Sequence, residues 1–158
     1  MSEIKQKITP CLWFDTQAEE AMQFYASVFK NSKIISVNRA QGRVMSVTFE
    51  LEGQRLMALN AGPQFTFTEA ISMFVGCETQ QEIDQLWERL IAGGGTPSRC
   101  GWLKDKFGLS WQIVPNSLGQ MLSAPDPARA TRTLNAMLGM EKLDLNRLRA
   151  AYDEESSE

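Results

Sequence analysis

Twice in this chain a short apolar run leads into a Thr-x-x-Glu tetrad, then a helical apolar stripe, then segments of strand character. The first copy has the apolar run 8–14, the tetrad Thr16-Gln17-Ala18-Glu19, and the stripe Ala18, Ala21, Met22, Tyr25, Val28 and Phe29. The second has the run 71–77, the tetrad Thr79-Gln80-Gln81-Glu82, and the stripe Ile83, Leu86, Trp87, Leu90 and Ile91. In such a tetrad the Thr hydroxyl and the Glu carboxylate reciprocally satisfy the orphan amides of a helix start, and the stripe marks the face that the helix buries. The copies are offset by roughly sixty residues, a period that signals structural repetition. A chain written this way is expected to be α+β, built from two βαβββ modules with the helices layered on mixed sheet.

The strands are legible individually. Met45, Val47, Phe49 and Leu51 alternate with Ser46, Thr48 and Glu50, a half-buried strand. Gln41-Gly42 precedes it and Glu52-Gly53 turns it back into residues 54–60. A weaker strand covers 34–37, and a short one lies near 97–100. Pro10 marks an edge or an end of the first strand. The last hairpin runs from Gly101 to Pro115. Its connection, Asp105 to Gly108, pairs an Asx side chain able to bond its own backbone with a glycine free to take positive φ. Beyond it Leu109, Trp111 and Ile113 alternate with Ser110 and Gln112, which places Gln112 and Ser110 on one face. Asn31 and Gly93-Gly94-Gly95 are read as the ends of the two helices. Phe65 and Phe67 fall in a loop, where they either cover a cavity mouth or pack against the sheet edge.

The modules are expected to span about 7–61 and 69–116, within a region 1–122. Past them Asp126 and Pro127 read as N-cap and first residue of a helix reaching Leu138, with Gly139 beyond its end. Leu145, Leu148 and Tyr152 suggest one more short helix, making a helical extension over 123–152. The acidic tail 153–158 is expected to be disordered.

Among the 158 residues there is no histidine. That excludes Ser-His-Asp and Cys-His chemistry and every His-ligated metal site. Cys11, Cys77 and Cys100 are scattered and odd in number, which suits reduced thiols in a cytoplasmic protein. The net charge of −3 provides no basic footprint for nucleic acid. No run has membrane-spanning length, and the N-terminal residues Glu3, Lys5 and Lys7 do not read as a secretory signal.

The hairpin Gly101 to Gln112 resembles the last hairpin of a module in the vicinal oxygen chelate superfamily, which includes glyoxalases, bleomycin-resistance proteins and extradiol dioxygenases. Within it the wording is most similar to the PhnB-like branch, often labelled demethylubiquinone methyltransferase-like. Supporting pieces are Pro10-Cys11-Leu12-Trp13-Phe14-Asp15, Ala18-Glu19-Glu20-Ala21, Phe24-Tyr25, Leu59-Asn60-Ala61-Gly62-Pro63 and Ala70-Ile71-Ser72, with a further stretch over Ala136 to Asp144. The resemblance implies a cupped sheet with outer helices. It also implies four inward positions where metal-dependent relatives carry ligands, here Ile8, Met57, Ser72 and Gln112. Of these only Gln112 offers a good oxygen donor, whereas a catalytic divalent ion normally needs three protein ligands. No metal and no cofactor are therefore expected. The glycine cluster follows a helix rather than opening one, so it lacks the arrangement that binds nucleotide-type cofactors.

What the resemblance leaves is an apolar, aromatic cavity lined by Cys11, Trp13, Met57, Asn60, Ser72, Phe74, Trp102 and Gln112, a composition common in small-molecule sites. The competing reading is that these aromatics fill the core. The expected function is metal-free binding of a small molecule by a cytoplasmic homodimer, its extension contributing apolar surface through Leu134, Met137, Leu138 and Leu148, which serves either the dimer interface or only the cover of the chain's own sheet. The alternatives are an enzyme of unassigned reaction and a dimeric interaction module without a ligand.

Overall fold

The chain of β1 (Cys11–Phe14), α1 (Ala18–Val28), β2 (Ser32–Ala40), β3 (Arg43–Leu51) and β4 (Gln54–Asn60) forms the first module. The structure, a computed structural model, describes residues 5–154, and it divides into two units, Met1–Phe67 and Thr68–Glu158. In the first unit the strand order is β1-β4-β3-β2. β1 runs parallel to β4 and the other pairs are antiparallel. The whole apolar stripe of α1 is buried, against Leu12, Phe14, Val47, Phe49, Leu51, Leu56 and Ala58. Each large side chain so buried contributes roughly 1.5–3 kcal/mol. Tyr25 is part of this core, stacked 6.3 Å from Phe49. Both hairpin turns have two residues at positive φ, Gln41 and Gly42, then Glu52 and Gly53. That is the two-residue turn whose twist matches the strands it joins.

Three local expectations fail here. The first strand begins at Cys11, not at residue 8, because Pro10 has no N–H to give the ladder; its carbonyl still accepts from Met57 N at 2.9 Å. The Thr16 tetrad does not cap α1. Gln17 is the N-cap residue and makes no side-chain cap bond. Instead Asn60 Oδ1, from the end of β4, accepts from Ala18 N at 2.8 Å. The helix also stops at Val28, before Asn31, with Phe29 extended. The loop after β4 wraps the edge strand: Phe65 packs edge-on to Trp13 at 4.9 Å and Phe67 edge-on to Phe14 at 5.3 Å. Of the two readings of these aromatics, packing against the sheet edge is the one observed.

The second unit holds β5 (Ser72–Cys77), α2 (Gln80–Ile91), β6 (Thr96–Pro97), β7 (Trp102–Lys104) and β8 (Ser110–Pro115), in sheet order β5-β8-β7-β6. Its helix is capped as expected at one end of the tetrad. Thr79 Oγ1 accepts from Glu82 N at 3.2 Å, while the Glu82 carboxylate reaches one residue further back, to Glu78 N at 2.9 Å. Gly95 lies so close to Ile91 and to Lys104 O that a Cβ there would sit 2.5–2.8 Å from backbone atoms. The strand expected near 97–100 covers Thr96–Pro97 only. Beyond it Cys100 N and Gly101 N leave the sheet and donate to Met140 O and Glu141 O, both at 2.8 Å.

The hairpin turn is organised by a buried carboxylate. Asp105 Oδ1 accepts from Phe107 N at 2.8 Å and Leu109 N at 3.1 Å, and Oδ2 accepts from the Trp111 indole at 2.9 Å. Gly108 takes φ +88.

Three helices complete the unit: α3 (Leu118–Leu122), α4 (Pro127–Leu138) and α5 (Leu145–Asp153). The short α3 carries no signal in the sequence reading. α4 starts as expected, with the Asp126 carboxylate accepting from Ala128 N at 3.0 Å. Val114 of β8, Leu118, Met121, Met140, Leu143, Leu145 and Leu148 form one buried cluster, with Met137 packed against it. Met137 and Leu148 thus serve the chain's own core, and of the four apolar residues expected at an interface only Leu134 and Leu138 are exposed. Gln80 clamps the extension: its amide donates to Leu143 O at 3.0 Å and accepts from Leu145 N at 2.7 Å. Beside it Lys142 pairs with Asp84 at 2.8 Å, and Lys142 and Gln80 hold the Asp84 carboxyl below its ordinary value of 3.8. The small stabilisation this gives is present above pH 3.8 and lost as the pH falls through the lowered value. The expected acidic tail begins inside α5 at Asp153, and residues 155–158 lie outside the described residues.

Candidate functional site

Each sheet has one face under its helix and one face turned away from it, and the strand pairing decides which residues share the second. In the first unit Cys11 lies opposite Met57, Trp13 opposite Leu59, and Thr48 opposite Met57. Since side chains alternate along a strand, Cys11, Trp13, Met57, Leu59 and Thr48 occupy the face away from α1. The Trp13 indole N–H is already committed, donating to Gly62 O at 2.8 Å. Asn60 falls on the other face. Its amide is spent on Ala18 N and, through Nδ2, on Val44 O at 3.1 Å, so it positions a helix and a strand rather than facing the group it was expected to join.

In the second unit Ser72, Phe74, Trp102 and Gln112 do come together. Phe74 and Trp102 are the two partners of Gln112 across the sheet, and Ser72 and Lys104 are the two partners of Ser110. Gln112 Nε2 donates to Ser72 Oγ at 2.9 Å. Phe74 is 64% exposed. Trp111 and Ile113 point to the helix side and are buried. Ser110 and Lys104 were missed as candidates, although Ser110 shares the parity of Gln112; Lys104 could be placed only once the register was known. Lys104 pairs with the exposed Glu69, and that hydrogen bond holds the Glu69 carboxyl below the usual range.

The four positions that the resemblance assigns to metal ligands do not make a metal site. Ile8 precedes β1 and is 84% exposed. Met57 offers a thioether, and the Gln112 amide is turned nitrogen-first toward the Ser72 hydroxyl. Among the described residues no three Cys, Asp or Glu side chains are grouped to hold an ion. The thiols of Cys11 and Cys77 are not activated either. Burial, with Glu82 nearby, pushes Cys77 up to about 12, and burial raises Cys11, so neither is a thiolate at neutral pH.

The sequence profile of the family described as 3-demethylubiquinone-9 3-methyltransferase matches residues 6–114. The chain belongs to this family. Its profile ends at Val114, so the likeness over 136–144 lies beyond it. The PhnB protein from Bacillus cereus is 40% identical, with a TM-score of 0.65, covering 70% of this chain and 99% of its own. A protein from Pseudomonas aeruginosa with 18% identity covers 70% of this chain and 98% of its own at a TM-score of 0.60. A glyoxalase/bleomycin resistance protein from Albidiferax ferrireducens, 12% identical, covers 68% and 96% at 0.50, which establishes the shared fold alone. No curated protein matches the chain. The methyltransferase family's name implies a methyl-donor cofactor of nucleotide type, and the chain's glycine-rich turn does not suit one. Gly93 to Gly95 follow the C-terminus of α2, where carbonyls rather than amides project, and Gly95 is filled by the backbone of Ile91 and Lys104. Among the described residues no helix is long and apolar enough to cross a membrane.

Proposed function

We propose that this glyoxalase-like, PhnB-type protein binds a small organic molecule without a metal, and that it does so on the sheet faces turned away from its helices. The observation that carries the reading is Gln112. Its amide is held by Ser72 between two aromatic neighbours, one of them a phenyl ring left 64% exposed. An oriented amide flanked by aromatic surface is the usual composition of a ligand site, a few polar groups fixing orientation within apolar area. The donor set at Ile8, Met57, Ser72 and Gln112 supports the metal-free half. The homodimer proposed with it draws support from the exposed Leu134 and Leu138.

The test is native mass spectrometry of protein purified from its own host and dialysed. A bound organic mass at near-stoichiometric occupancy is expected, without zinc, nickel, iron or manganese, on a dimer mass. A stoichiometric metal, or a chain that carries no organic ligand under any preparation, overturns the reading. Gln112→Leu is expected to weaken the co-purifying compound about tenfold, the weight of one good hydrogen bond, with Trp102 fluorescence as the readout. Thermal stability should be unchanged or slightly higher. Unaltered affinity in the folded variant rules out Gln112 as the anchor, and Gln112→Glu is not expected to recruit a metal.

A further inference from the structure

Resting on that binding reading, we propose that the second module's ligand is an aromatic carboxylate, with its ring on Phe74 and Trp102 and its carboxylate on Ser110 and Lys104. The strand register draws two parallel rows across this face. One row is Trp102, Gln112, Phe74: aromatic, amide, aromatic. The next is Lys104, Ser110, Ser72: ammonium, hydroxyl, hydroxyl. Two residues along a strand separate the rows by about 7 Å, a spacing that side chains reaching in from both rows can bridge to the ring and the carboxylate of one small acid.

Ser110 is what makes the second row a recognition element. It is 1% exposed, and among the described residues its Oγ is a buried side-chain oxygen with no hydrogen-bond partner. A native protein rarely leaves such a group unpaired, because each costs about as much as a lost hydrogen bond, so an orphan of this kind points to a partner that arrives from outside. Its neighbours fix the partner's chemistry. Ser72 Oγ already accepts from Gln112, which leaves its own O–H to donate. Lys104 can only donate. Three donors in one row call for an oxygen acceptor, and the ammonium selects an anionic one. The competitor within the chain is Glu69, whose side chain is 61% exposed. Such a surface pair contributes little and exchanges readily, so a ligand carboxylate can replace Glu69 on Lys104 as that side chain swings to admit it.

The probe is 3-phenylpropionate, titrated by Trp102 fluorescence and by ligand-observed NMR, against 3-phenylpropan-1-ol and acetate. The acid is expected to bind at least about tenfold more tightly than either. Ser110→Ala should lose about tenfold in affinity while melting at the same or a higher temperature, since an unpaired buried hydroxyl becomes a methyl group. Lys104→Met should lose a similar factor, and Glu69→Gln should bind the acid more tightly by removing its rival. Equal binding of acid and alcohol, or a folded Ser110→Ala protein with full affinity for the acid, overturns the proposal. A co-purifying ligand without an acidic group also overturns it, while leaving the wider binding function standing; absence of any ligand is instead the failure of that wider reading.

Discussion

Replacing Asp105 by alanine is expected to lower stability by about 3–5 kcal/mol, since two buried donors each lose a partner at about 1–3 kcal/mol and the turn loses its Asx bond. Leu109 and Trp111 are both buried, and their N–H groups at 3.1 and 2.9 Å have this carboxylate as acceptor. Asp105→Asn separates the contributions. One amide oxygen can still accept from Phe107 N and Leu109 N, but the amide nitrogen then faces the Trp111 indole donor to donor. The expected cost is about 1–3 kcal/mol, and Trp111→Phe in the Asn background should return part of it. Chemical denaturation read by tryptophan emission measures all three. An Asp105→Ala protein that melts with the parent would show that the hairpin does not depend on this carboxylate.

Removing residues 125–158 is the second large effect expected. The truncation strips Met140, Leu143, Leu145 and Leu148 from their cluster, leaving Val114, Leu118 and Met121 uncovered. It also takes away the acceptors of Cys100 N and Gly101 N and both partners of the Gln80 clamp. Each lost large side chain is worth roughly 1.5–3 kcal/mol of burial, which together rivals the whole stability of a typical domain, about 5–15 kcal/mol. The second module should unfold at temperatures where the full chain is intact, seen as a red-shifted emission from Trp87, Trp102 and Trp111. Leu143→Ala, a single fully buried site, should cost about 2–5 kcal/mol, whereas Leu134→Ala on the exposed face of α4 should stay within about 0.5 kcal/mol. The family profile stops at Val114, ahead of the whole extension. A truncated chain as stable as the full one would show that the module folds without its extension.

Local physics was readable where it acts between near neighbours. The Asx turn at Asp105, the positive φ at Gly108 and the two-residue turns at Gln41-Gly42 and Glu52-Gly53 follow from the residues alone, because a turn's geometry is set within four residues. The limits of β4, the burial of the α1 stripe, the Thr79 cap and the Asp126-Pro127 start of α4 are of the same kind. So were the shared face of Ser110 and Gln112 and the resemblance that named the family.

Tertiary structure decided whatever depends on which distant residue arrives. The Thr16 tetrad has the spacing of a cap, yet Asn60 from β4 reaches Ala18 first, 42 positions away in sequence. That contact takes Asn60 out of the expected binding group. Tail helices whose apolar residues read as interface material turned half of them onto the module's own β8. The orphaned hydroxyl of Ser110 is equally invisible to spacing. Parity along a strand says which face a side chain takes, but only the packed chain determines which polar groups on that face find partners and which one is left without.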